Sequence, residues 1–164
     1  MATRSTIALE FADGTVGQIY CHWDGYLSHN GQILLNNYSN PFVLRDLIDL
    51  GDVSSLGPKI GTKHPFSQFE IDKTNPDFDK LMALHKFAEE QGFTTFYGRD
   101  RDEVGCEARY YKDFDEYRAN TQFEEYNYIL RRDGNWYVEF YGEFDGLLKQ
   151  AIMDEQDQVA QEEA

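Results

Sequence analysis

The chain has 164 residues, of which 41% are apolar, 15% aromatic and 27% charged, and its formal net charge is −15. A chain of this length forms one domain that buries about two-thirds of its unfolded surface, and its aromatic content supports a packed core; a disulfide-stapled miniprotein and a wholly disordered chain are excluded. No run approaches the ~20 apolar residues of a membrane span, MATRSTIALEF offers no secretory signal, and the negative charge speaks against direct binding to a phosphate backbone or an anionic membrane.

Residues Thr6–Phe11 alternate as a strand, Ala12-Asp13-Gly14 is a hairpin turn, and Val16–Trp23 is the return strand, with Gly17 a candidate bulge. Asp24–Gly31 reads as a polar loop, and Ile33, Leu34, Leu35 and Tyr38 as a short helix stopping near Asn40-Pro41. Phe42–Leu50 carries a stripe of Phe42, Val43, Leu47, Ile48 and Leu50, with Gly51 at its stop, and predicts a second helix. Residues 51–76 are rich in Gly and Pro and read as irregular. Asn75-Pro76-Asp77 caps the clearest helix, whose apolar face is Phe78, Leu81, Met82, Leu84, Phe87 and Ala88 and whose end is Gly92. Phe93–Tyr97 reads as a strand, Gly98–Glu103 as a charged loop, Glu107–Tyr111 as a short strand and Asp113–Ala119 as one or two helical turns. The best hairpin is Tyr126–Arg131, Asp133-Gly134-Asn135, Trp136–Tyr141. A terminal helix begins over Gly146–Met153. The whole predicts an α+β fold: a mainly antiparallel sheet from N-terminal and C-terminal hairpins, packed with three to four helices. Residues 1–153 make the single domain and 154–164 a frayed acidic tail.

Two segments could carry chemistry. Tyr20-Cys21-His22-Trp23-Asp24-Gly25-Tyr26 places Tyr20, His22 and Asp24 on one strand face, so Asp24 could orient His22 as a general base. The alternatives are a binding wall made of His22, Trp23, Asp24 and Tyr26, or a purely structural turn with Trp23 in the core. Tyr97-Gly98-Arg99-Asp100-Arg101 sets two arginines close together; Arg99 and Arg101 could clamp an anionic ligand beside Tyr97, or pair with Asp100, Asp102 and Glu103. A nucleotide pocket would need the two segments to meet. Cys21, Cys106 and the four histidines show no ligand spacing, so neither metal nor cofactor is expected, and the unpaired cysteines suit a reducing cytoplasm.

The charge is uneven. Residues 102–164 carry 17 acids against 6 bases, while residues 1–101 carry 13 against 9. The tract 110–141 is also rich in tyrosine, which supplies rigid contact area with a polar tip. Together these point to a basic protein partner, with Glu124, Glu125, Glu139, Glu143 and Asp145 in the place of phosphates and Tyr126 and Tyr141 as anchors. The plainer alternative is that the acids only confer solubility.

Tyr20-Cys-His-Trp-Asp-Gly-Tyr26, with Met1-Ala-Thr-Arg-Ser-Thr-Ile7, His29-Asn-Gly31, Leu50-Gly-Asp-Val-Ser-Ser-Leu-Gly57 and Tyr97-Gly-Arg-Asp-Arg101, resembles a group of small proteins from tailed bacteriophages and some bacterial genomes. The group tends to carry proline where this chain has Leu27, which loosens that loop. No activity attaches to the group, so the resemblance implies a phage or prophage product made in the bacterial cytoplasm. The expectation is a non-enzymatic accessory protein, acting in host takeover or against host defence, that inhibits a basic nucleic-acid-handling protein through a DNA-mimic surface. The competing expectations are a nucleotide-sequestering protein and an enzyme using His22 and Asp24; self-association stays open.

Overall fold

A computed structural model describes residues 2–121 and 123–163 and shows an α+β fold built on one eight-stranded mixed sheet with six α-helices. Strands β1 (Ser5–Glu10) and β2 (Val16–Cys21) form the first hairpin, and β6 (Tyr126–Leu130) and β7 (Trp136–Phe140) the second. Both turns use the same device. Gly14 and Gly134 sit at φ +92° and +84°, where a side chain would be strained, and the preceding Asp13 and Asp133 accept from the backbone N–H of Thr15 and Asn135.

The hairpins join through a parallel β1–β6 pair, registered from Ser5↔Tyr126 to Leu9↔Leu130. Both turns therefore lie at one end of the sheet, and Ser5, Cys21, Tyr126 and Phe140 mark the other. β8 (Phe144–Leu147) pairs antiparallel to β7. The outer edge of β2 is shared: Val16–Gln18 pair with β5 (Arg109–Tyr111), and Cys21 with β3 (Val53–Ser55), which leads on to β4 (Thr95–Phe96).

Strand alternation divides the apolar residues between two faces. On the main face Ile7, Leu9, Ile19, Cys21, Tyr128, Leu130 and Val138 are covered by α1 (Gln32–Asn37), α2 (Pro41–Asp49) and the start of α6 (Leu148–Glu163). On the reverse face Ala8, Val16 and Ile129 pack on Tyr117 of α5 (Phe114–Asn120). No helix among the described residues is long and apolar enough to cross a membrane.

Six α-helices stand where three or four were expected. The excess is short: residues 98–101, read as charged loop, form α4 (Tyr97–Arg101), and the turns near 113–119 complete α5. The stripe of α2 is also displaced. Leu44, Leu47 and Ile48 go inside, while Phe42 stays 75% exposed. The amphipathic helix α3 (Phe78–Gln91) buries only Ala88 completely, although its Gly92 end is as expected at φ +73°. The acidic stretch read as a frayed tail continues α6 as helix to Glu163, and its residues from Gln156 onward are exposed on every side.

Candidate functional site

The Tyr20–Tyr26 segment is built by backbone first. Beyond β2, the His22 and Trp23 N–H groups donate to the Val53 and Ser54 carbonyls (3.1 and 3.0 Å), so the strand runs on beside β3. Asp24 then enters the left-handed region at φ 57°, which ends the alternation. Gly25 follows because its N–H reaches the Thr3 carbonyl at 2.8 Å and an added Cβ would lie 2.8 Å from that of Ser5. Asn30, fully buried, closes the turn: its amide donates to the Ser5 hydroxyl, the Trp23 carbonyl and the Cys21 sulfur, while the Tyr128 hydroxyl donates to the Gly25 carbonyl.

That geometry rearranges the expected chemistry. His22 Nδ1 lies 2.8 Å from the Tyr20 hydroxyl, and no hydrogen bond or ion pair joins it to Asp24 among the described residues. The His22/Asp24 acid–base pair is therefore not assembled, because the left-handed turn at Asp24 takes the carboxylate out of the alternating row. Trp23 is 45% exposed rather than in the core, with the His22 ring edge-on at 4.7 Å, and Tyr26 is 39% exposed.

Cys21 is fully buried. Burial pushes its thiol from 9.0 up to about 11, only partly offset by the Asn30 and Trp23 contacts. A raised folded-state value means that the neutral thiol's contribution, roughly 3 kcal/mol, is complete below pH 9 and is lost as pH rises through 11. Native protein at pH 8 should leave Cys21 unalkylated by iodoacetamide while the partly exposed Cys106 reacts. Intact mass after timed quenching reads this, and equal labelling of both thiols would refute it.

Arg99 and Arg101 are already engaged. The five N–H groups of Arg99 donate to the carbonyls of Ile60, Gly61 and Thr94 and to both oxygens of Asp100, and its guanidinium lies 4.6 Å from the Phe96 ring. Arg101 pairs with Glu70 and Glu103 and lies 4.2 Å over Phe66. The anticipated anion clamp has no free guanidinium fork. Tyr97, which opens α4, donates its backbone N–H to the Asp52 carbonyl, and its ring lies 5.5 Å from that of Phe66. The His22 and Tyr97 segments do flank the same strand, β3, yet the arginines turn into the 57–66 loop instead of toward Trp23.

The acidic candidates divide. Asn127, Glu139 and Asp145 stand opposite one another across β6, β7 and β8 on the reverse face. There Asn127 donates to the Glu139 carboxylate at 2.9 Å and Arg118 pairs with Asp145 at 2.7 Å, so these two acids are satisfied internally. Glu125 and Glu143 lie elsewhere. With Glu155 of α6 they raise the Tyr126 hydroxyl beyond what burial does, and the Tyr141 hydroxyl donates to Glu125. Among the described residues none of Glu124, Glu125, Glu143 and Glu155 has an ion-pair partner; exposed Arg4, whose charge acts on Tyr20 together with that of Glu124, is a nearby base. Tyr141 is 58% exposed at the β7–β8 turn, in the left-handed region at φ 56°, where a bulky residue is strained.

Both groups of candidates reach one end of the sheet. The Thr3 carbonyl holds Gly25, and the Arg4 carbonyl next to it accepts from Tyr126 at 3.3 Å. Trp23–Tyr26 and Glu124–Tyr126 thus sit on either side of the entry to β1. The outer half of α6 extends from this same end, because α6 starts beside Leu147, paired to Tyr137 near the hairpin turn, and brings Glu155 close to Tyr126. Sequence reasoning treated these as separate regions and missed Asn30, whose burial had no local signal. It also missed Glu10, whose 3% exposed carboxylate is held by Arg131 and Arg132 at the end of an apolar strand. No cluster of three or more His, Cys, Asp and Glu side chains that could hold a metal is found among the described residues. No family model matches the chain, and no curated protein or solved structure is found to be similar to it.

Proposed function

We propose that this protein is a non-enzymatic accessory protein that binds and inhibits a basic, nucleic-acid-handling bacterial protein, presenting acids where that partner expects phosphates. The carrying observation is the convergence at one sheet end of exposed Trp23, Tyr26 and Tyr141 with Glu124, Glu125 and Glu143, while the acidic outer turns of α6 extend from the same end. Aromatic anchors amid acids that form no ion pair among the described residues are what a binding surface for a basic protein needs: the rings supply buried area and the acids supply steering and register. Glu139 and Asp145, being internally paired, play a supporting part. Phage or prophage origin and a bacterial cytoplasmic setting enter this reading through the sequence resemblance alone.

The test is capture from a bacterial lysate over a salt series, with double-stranded DNA as competitor. The expected partner is released by rising salt and by DNA, because both act on the same phosphate-binding surface. Glu125→Lys/Glu143→Lys should reduce capture at least tenfold. A partner retained equally at high salt, indifferent to DNA, or unaffected by the double reversal would overturn the proposal.

Tyr141 separates binding from folding. Tyr141→Asn places a residue tolerant of left-handed backbone at the strained position, so unfolding free energy should stay within about 1 kcal/mol of the parent. Losing an aromatic anchor should nevertheless weaken capture about tenfold or more. Unaltered capture with a folded variant would remove Tyr141 from the surface.

A further inference from the structure

At the opposite end of the sheet, the two hairpin turns and the first turn of α2 line an open cleft of about 400 Å³. Its apolar wall is Leu9, Phe11, Phe42 and Leu130; Arg45 and Arg132 stand at its rim, while the Arg131 guanidinium is turned onto the Phe114 ring of α5 at 3.6 Å. Ligand cavities of this size combine an apolar wall with a few convergent polar groups. The charges facing it can be named. Buried Glu10 accepts from Arg131 Nε at 3.2 Å and from the Arg132 backbone N–H at 3.0 Å, with Arg132 Nε at 3.7 Å, so its charge is matched twice over. The Arg45 side chain makes no ion pair and no hydrogen bond among the described residues; its guanidinium lies 5.9 Å from the Phe11 ring. Asp13 on the adjoining turn is held by Thr15, and Asp46 and Asp49 are the other acids of α2.

Two oddities of the fold meet here. In a chain of net charge −15, Arg45 lines this cavity with no ion pair of its own among the described residues, and Phe42, which an amphipathic α2 would bury, is left 75% exposed at its rim. Both are explained by a ligand with an apolar body and an anionic end. We propose that this cavity binds a small apolar anion, an aliphatic or aromatic carboxylate, with its body against Phe42, Phe11 and Leu130 and its acid group on Arg45. The first turn of α2, entered through Asn40 and Pro41, adds its positive dipole end on the same side. This site is independent of the acidic surface at the other end of the sheet, and either can fail alone.

The test is titration of the full chain at low salt with octanoate, octanol and octyltrimethylammonium, read by calorimetry and by backbone amide shifts. Octanoate should bind and shift the amides of Ala12, Phe42, Arg45 and Leu130. Octanol should bind at least tenfold more weakly and the cation not at all. Arg45→Ala, on an exposed helix position, should weaken octanoate about tenfold and leave octanol unchanged, since it removes one charge-assisted contact. Phe42→Ser should weaken both alike. Equal affinity for octanoate and octanol, shifts confined to other parts of the chain, indifference to Arg45→Ala, or no binding by any of the three would overturn the proposal.

Discussion

Replacing Asp100 by alanine should lower the unfolding free energy by about 3–5 kcal/mol, read as a fall in urea midpoint at unchanged slope. The Asp100 side chain is completely buried and accepts from the Phe96 N–H at 2.8 Å, the His64 N–H at 3.2 Å and Arg99 at 3.0 and 3.2 Å. Without it, two buried N–H groups lose their acceptor and the Arg99 guanidinium, 13% exposed, loses its only anionic partner among the described residues. Removing one half of a buried pair costs more than the pair is worth, because the remaining charge is stranded in a dry place. Asp100→Asn keeps the shape and one acceptor oxygen, so it should cost less than alanine. Adding Arg99→Met to Asp100→Ala should return part of the loss, as the stranded charge goes with it. A single variant that loses less than about 1 kcal/mol would show that the network is ornamental to stability.

The same network explains what could be read in the sequence and what could not. The two hairpins were legible because their information is local: alternating apolar residues on either side of an Asp-Gly turn. Their parallel union through Ser5↔Tyr126 was not, since no residue near Ser5 announces a partner 121 positions away. Residues 51–76 read as irregular; they in fact hold β3 and a 3-10 turn at Gln68–Glu70, and the rest is fixed by contacts that are distant in sequence. Arg99 ties the carbonyls of Ile60 and Gly61, and Tyr38 donates to the Gly57 carbonyl at 2.7 Å, so side chains do there what secondary structure does elsewhere. Strand β8, Phe-Asp-Gly-Leu, has no strand signal of its own; β7 selects it by offering an open edge. For the candidate residues, chemistry was visible but direction was not. Arg99 looked like a ligand clamp because composition cannot show that five acceptors already surround it. His22 and Asp24 looked like a pair because alternation was carried one residue too far, into a left-handed turn. Phe42 was read as part of the α2 stripe and so as core, since a stripe at helical spacing is expected to go inside, and nothing local set Arg45 apart.

Asn30→Ala should cost about 2–4 kcal/mol, because it removes the amide that donates to the Ser5 hydroxyl and the Trp23 carbonyl and leaves a void in a fully buried position. The amide also reaches the Cys21 sulfur at 3.3 Å, and the Asn30 backbone N–H holds the Asp24 carbonyl at 3.2 Å. One side chain thus fixes the end of β2, the start of β1 and the turn that presents Trp23 and Tyr26. Asn30→Asp distinguishes this role from mere space-filling: it preserves volume and shape and keeps the oxygen that lies 2.9 Å from His29 Nδ1, but it cannot donate to Ser5 or Trp23, so it should destabilise as well. The local effect can be read apart from the global one. In a Trp136→Phe background Trp23 is the sole tryptophan, and its emission should move to the red as the turn loosens, while Cys21 becomes open to alkylation under conditions where the fold persists. If Trp23 emission and Cys21 labelling stay as in the parent, or if the aspartate variant is as stable as the parent, Asn30 is not the latch. The aromatic part of the proposed partner surface would then owe its position to the backbone bonds of Trp23 to Ser54 and Gly25 to Thr3 and to the Tyr128–Gly25 contact.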